Sequence, residues 1–187
     1  MYAPLEDHRF GQLDKSISPL YHSGIYFDDR STSNIDNILS SIRMMKARYD
    51  IDGAVVDYLQ ILTVNMKGAG KEQQMADAAR RLKNIARELD IWVIALSQLS
   101  RDASNPEPNI NRLRDSGQIG EAADNIYFVY RPELYRRDFP EPFKAYDTQA
   151  KALIIGGKGR NTGLVSFLVS FNSETTQFTD IESPVLK

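Results

Sequence analysis

Two short runs, "GAVVDYLQ" and "IWVIALSQL", constrain the fold of this chain more than anything else in it. Neither alternates apolar with polar residues. Continuous aliphatic runs of this length read as strands covered on both faces, the condition of parallel sheets whose crossover connections are helices. The neighbouring segments supply such helices. In "STSNIDNILSSIRMMKARYD", Ile35, Ile38, Leu39, Ile42 and Met45 recur at helical spacing behind a Ser/Thr/Asn start. In "EQQMADAARRLKNIARELD", Met75, Ala78, Ala79, Leu82, Ile85, Ala86 and Leu89 mark one helical face. With "GIYFDD" as a first short strand, residues 24–99 spell β-α-β-α-β, an α/β core.

Asp57 is out of place in such a run, because a carboxylate at the end of a buried strand needs a partner or loses its charge. In open parallel sheets ligands gather beyond the carboxyl ends of the strands. Asp57 closes one strand there, and Ser97 and Gln98 close the next. A carboxylate at that place suits the water shell of a magnesium ion on nucleotide phosphates, and an amide suits orienting a water or sensing the terminal phosphate. Taken alone, Asp57 reads more simply as a residue that caps the following turn or pairs with an arginine, and Gln98 as a side chain bonded to loop backbone.

After the loop "SRDASNPEPNINRLRDSG" comes a short helix, "GQIGEAAD", and a strand, "NIYFVYR". The runs "KALIIGGKGR", "LVSFLVSF" and "TQFTDI" then change to period-2 alternation and close turns, as in antiparallel strands appended to the sheet edge. Trp92 and Tyr127 are expected in the core, whereas Tyr130 and Tyr135 suit either packing or the flank of an adenine. The 187 residues are 42% apolar and 26% charged with a formal net charge of -2, the balance of one globular domain. Any nucleic-acid contact must therefore come from a local patch. The absence of cysteine excludes thiolate metal sites and disulfides, and His8 and His22 are too few to build a metal site. No run approaches the roughly 18 apolar residues of a membrane span, so a cytoplasmic protein is expected.

Four blocks, "VVDYLQIL", "ALSQLSR", "RLRDSGQIGEAADNIYFVYR" and "IIGGKGRNTG", resemble in order and spacing the RecA-like motor domain of DnaB-type replicative DNA helicases. The well-matched region is about residues 24–182, and the whole chain, 1–187, is expected to be one partial motor domain. The resemblance implies that Asp57 is the Walker B aspartate, holding Mg through water, and that Gln98 reads the terminal phosphate. It implies that Arg114, Asp115 and Gly117 lie on single-stranded DNA, where an arginine neutralises phosphate and a glycine admits close approach of backbone N–H groups. It further implies that Lys158 and Arg160 reach the nucleotide of a neighbouring subunit. Two apart in an extended segment, both project from one side, and a guanidinium takes developing phosphate charge. From the motif alone the pair equally suits a basic, protected edge strand, and "DSGQIGE" equally suits a helix cap. Against the family, "KGRNTG" is shorter by about two residues and Arg112 stands where an aspartate is common.

No "GxxxxGK[ST]" occurs in the 187 residues, and Gly68, Gly70 and Lys71 of "GAGKEQQ" have neither its spacing nor its Ser/Thr. This fragment alone is therefore expected not to hydrolyse ATP or to bind it tightly, although the complete protein would use ATP and Mg. The family's phosphate-loop strand lies centrally, between the strands matching "WVIALSQ" and "NIYFVY". Its absence is expected to leave unpaired edges or a slot, closed by re-pairing the chain's own strands or by borrowing one from another copy. The expected partners are single-stranded DNA, further copies in a hexameric ring, a primase and a helicase loader. Two other readings are a non-catalytic paralogue that joins a helicase ring through Lys158 and Arg160, and a related RecA-like ATPase of recombination or phage replication.

Overall fold

The computed structural model describes residues 7–30, 32–99 and 105–181, with the side chains of 7–9 and 114–118 left aside. The chain divides into two compact units, Met1–Thr32 and Ser33–Lys187. The first holds helix α1 (Asp7–Ile17) and a 3-10 turn, Ser18–His22. The strand expected of "GIYFDD" is not formed, since residues 24–30 have no regular structure. A strand exists only where a neighbour takes up its N–H and C=O groups, and no ladder forms there.

In the second unit, α2 (Ile35–Tyr49) begins where the Asn34 side chain accepts a hydrogen bond from the Asp36 N–H at 2.8 Å. It ends on Asp50, left-handed at φ 50°. Strand β1 (Gly53–Val56) and a 3-10 turn, Leu59–Ile61, lead to α3 (Lys71–Leu89) and β2 (Trp92–Ala95). β1 and β2 pair in parallel, from Gly53 opposite Trp92 to Val56 opposite Ala95. The apolar stripes of α2 and α3 cover one face of this pair, with Leu39, Ile42, Leu82 and Ile85 packed in one cluster with Ala54, Val56 and Val93. Arg43–Glu88 and Arg81–Asp36 ion pairs join the two helices.

A 3-10 segment (Ile110–Ser116) then runs directly into α4 (Gly117–Ala122). The remaining strands are β3 (Asn125–Tyr130), β4 (Lys151–Gly159), β5 (Ser166–Asn172) and β6 (Gln177–Asp180). They form an antiparallel sheet in the order β3-β4-β5-β6. A bulge sets Ile126 opposite Lys158 but Tyr127 opposite Gly156. Gly157, the extra residue, lies under the Phe128 ring, which a Cβ there would meet at 2.3 Å. Tyr130, Phe139, Phe143, Leu153 and Leu168 make this sheet's own core. Between β3 and β4, the Glu133 carboxylate binds Arg131 and accepts from the Ala150 N–H at 3.0 Å. Both bonds, Arg131's first, hold Glu133 below the usual carboxylate range.

The sheet is thus not the mostly parallel one the sequence suggests. Its parallel part has two strands, the antiparallel part is larger, and the two are separate sheets. Among the described residues β2 pairs only with β1, and β3 only with β4, so re-pairing of the chain's own strands across the gap does not occur. Trp92 and Tyr127, expected in the core, are 54% and 56% exposed. The helices cover only one face of the β1–β2 pair, leaving Val55, Trp92 and Ile94 bare on the other. There the Trp92 ring lies across Gly53, where a Cβ would approach it to 2.0 Å. Tyr130 is buried and Tyr135 exposed. No helix among the described residues is long and apolar enough to cross a membrane.

Burial on one face only sets different costs for neighbouring apolar residues. Leu82→Ala, which opens a cavity against the β1–β2 pair, is expected to lower unfolding free energy by about 2–5 kcal/mol in urea titrations. Ile94→Thr, on the bare face, is expected to stay within about 0.5 kcal/mol. Glu133→Gln is expected to cost on the order of 1 kcal/mol at neutral pH. Because the folded carboxyl titrates below its unfolded value, that contribution is present above the ordinary glutamate range. It should vanish as pH falls through the folded value, so urea midpoints of wild type and variant should converge in acid.

Candidate functional site

The parallel pairing continues beyond the last strand residues. The Leu96 N–H donates to the Val56 carbonyl at 2.9 Å, and the Leu59 N–H donates to the Leu96 carbonyl at 2.9 Å. Carrying the register one residue further sets Asp57 level with Leu96, and Gln98 follows at the same end. Both are exposed. The peptide between Asp57 and Tyr58 is cis. Leu59, 1% exposed, then anchors the turn in the core. The carboxylate and the amide therefore stand at one rim of one parallel pair, where solutes reach them.

Gln60, which nothing local in the sequence singles out, organises this rim. Its side-chain NH2 donates to Ser97 Oγ at 2.9 Å and to the Gln98 carbonyl at 2.9 Å, and its Oε1 accepts from the Gln98 N–H at 3.2 Å. One amide thereby satisfies both backbone groups of Gln98 and fixes the segment that carries it. The only signal available was a polar residue inside "YLQIL". Lys71 donates to the Leu62 carbonyl at 2.9 Å, bracing the loop that includes Gly68 and Gly70.

Lys158 and Arg160 stand at a second place, the junction of α4 and β3. Lys158 Nζ donates to the Gly120 carbonyl at 2.6 Å and to that of Glu121 at 3.3 Å. The Arg160 guanidinium binds Asp124 Oδ1 at 3.1 Å, and its backbone N–H donates to the Asp124 carbonyl at 2.9 Å. Both side chains turn to one junction, as their spacing in an extended segment requires. Lys83, from α3, donates to the same Asp124 oxygen at 2.6 Å. The Lys83 ammonium, reinforced by the charges of Arg160 and Lys158, holds the Asp124 carboxyl below the ordinary range. Lys83 and Asp124 carry no local sequence signal that names their partners.

A third group is the segment carrying Arg114, Asp115 and Gly117. Arg114 and Asp115 belong to the 3-10 segment and Gly117 opens α4, while their side chains lie outside the described residues. Buried Leu113 and Ile119 anchor the segment on either side. Arg112 is turned onto the preceding loop, donating to the Pro106 carbonyl at 2.6 Å and to that of Glu107 at 3.3 Å. It braces backbone there. Arg101 and Asp102 of the same loop, Tyr2, and Glu182 at the end of the matched region lie outside the described residues.

The chain spans 32–43% of the length of three relatives that it matches. It is 33% identical over 154 residues to a probable plasmid replicative DNA helicase of Chlamydia psittaci, covering 81% of this chain and 32% of that protein. To the replicative DNA helicase DnaB of Geobacillus stearothermophilus it is 31% identical over 181 residues, 92% of this chain and 37% of the relative. A solved DnaB-like replicative helicase, described with its interactions with primase, superposes with a TM-score of 0.80 at 29% identity. That match covers 95% of this chain and 43% of the solved one. The small parallel pair, the antiparallel sheet that follows it and the family match over residues 2–180 agree: this chain belongs to the DnaB-like helicase C terminal domain family.

Proposed function

We propose that the chain, 1–187, is the part of a DnaB-like replicative helicase motor that reads nucleotide phosphate and grips single-stranded DNA. The observation that carries this reading is the common rim of Asp57 and Gln98 on one parallel pair. In the complete protein Asp57 holds the water shell of Mg on ATP, Gln98 senses the terminal phosphate, and ATP hydrolysis drives translocation. Among the described residues no three His, Cys, Asp or Glu side chains stand together as a metal cage. A lone exposed carboxylate suits a magnesium ion held mainly by phosphate and water. When bound, that ion neutralises phosphate charge, while this chain's residues position it.

Lys158 and Arg160 serve the nucleotide of a neighbouring copy in a hexameric ring, and Arg114, Asp115 and Gly117 hold the DNA backbone. Primase, with which the solved relative was described, is a partner of the ring, as is a loader. The cytoplasm is its place of action. The 187 residues by themselves do not hydrolyse ATP, because no "GxxxxGK[ST]" cradle for the β- and γ-phosphates is among them. The edges of β2 and β3 that are unpaired among the described residues, and the bare Trp92 and Ile94, then await the strand that carries it.

Mixing this chain with a polypeptide that supplies the phosphate loop and its strand is expected to yield an ATPase stimulated by single-stranded DNA. Asp57→Asn is expected to abolish that activity, and Arg160→Ala to lower it by about a thousandfold. Turnover measured by phosphate release decides. Activity indifferent to both substitutions would remove the assigned roles, and no activity from a stable complex would remove the reading itself.

A further inference from the structure

The basic pair and the candidate DNA segment meet on one small element. α4 is six residues long and follows Ile110–Ser116 with no residue between. The last carbonyls of any helix lack intrahelical donors, and a cation placed there both caps them and offsets the helix dipole. Lys158 does this for Gly120 and Glu121. Three residues after Glu121, Asp124 takes the Arg160 guanidinium. Both cations assigned to phosphate are thus occupied by oxygens of one five-residue stretch, 120–124.

We propose that this stretch is an internal stand-in for phosphate, with Asp124 as a positioning residue. It holds Lys158 and Arg160 docked, and phosphate oxygens that take the two cations uncap the last turn of α4. The inference rests on the reading that Lys158 and Arg160 meet phosphate.

The local chemistry makes such an exchange easy. Arg160 and Asp124 are 51% and 55% exposed, so their ion pair is screened and competes weakly with a multiply charged anion. Lys83 stays on Asp124 at 2.6 Å, so departure of Arg160 does not strand the carboxylate. Loss of Lys158 leaves the Gly120 and Glu121 carbonyls to water, which frays the last turn. Ile119 and Ala122, 7% and 8% exposed, keep the helix seated, so the release is local.

The test is amide hydrogen exchange in the 187-residue chain, with tripolyphosphate as probe and sodium chloride of equal ionic strength as control. Tripolyphosphate is expected to speed exchange of the α4 amides several-fold. Lys158→Met is expected to give the fast rate without anion and to respond to it no further. Asp124→Asn, which frees Arg160, is expected to bind tripolyphosphate several-fold more tightly by calorimetry, while Lys83→Met leaves the α4 rate near that of wild type. Anion bound without change in α4 exchange would overturn the coupling and leave the phosphate reading standing. Failure of the anion to bind, with Lys158→Met still accelerating α4, would overturn that reading and this inference with it. Circular dichroism of each variant reports whether it is folded.

Discussion

The parallel pairing of β1 with β2 is the interaction on which the rest of the described architecture depends. It fixes the two strands in register, Gly53 to Trp92 and Val56 to Ala95, and gives α2 and α3 a common floor. It also carries past the strand ends through the Leu96 and Leu59 N–H groups, so that Asp57 and Gln98 finish at one rim. A shift of that register by one residue would turn Val56 out of the core and Val55 into it. The packing of Leu82 and Ile85 against Val56 excludes this.

A parallel pair is ordinarily sheltered on both faces, because its strands are apolar on both. Here shelter comes from one side. Val55, Trp92 and Ile94 stay bare, as do Tyr127 and Val129 on β3, and among the described residues the outer edges of β2 and β3 carry no ladder. Apolar surface and open strand edges of this kind invite association. The proposed reading makes them the two banks of a sheet whose middle strand comes from elsewhere in the complete motor.

The electrostatics follow a similar economy. Surface ion pairs contribute little to stability singly, yet those around Asp124 join α3 and the turn after β4 through one carboxylate that lies between α4 and β3. What they supply is position. Lys83 and Arg160 share one oxygen, and Lys158 sits on the neighbouring helix end. An anion that draws Lys158 off those carbonyls acts on α4 as well.

Reading residues in order was enough for the local elements. The 3.6-residue recurrence of Leu82 and Ile85, the Asn34 cap and the alternation in β5 and β6 depend on neighbours within a turn or a pleat. α2, α3, α4 and the antiparallel tail were therefore legible, as was the place of Asp57 directly after its strand, whereas β2 stops at Ala95, three residues before Gln98. "GIYFDD" misled because an apolar run carries no information about whether a partner strand exists, and Trp92 because it carries none about whether its second face is covered. Gln60, Lys83 and Asp124 were invisible for the same reason. Their bonds span 36 to 41 residues, and only the folded chain brings such groups within hydrogen-bond reach. The amino-acid order determined which segments coil and which extend. The tertiary structure alone decided which faces are buried and which cations are already engaged, since both are set by contacts between residues distant in sequence.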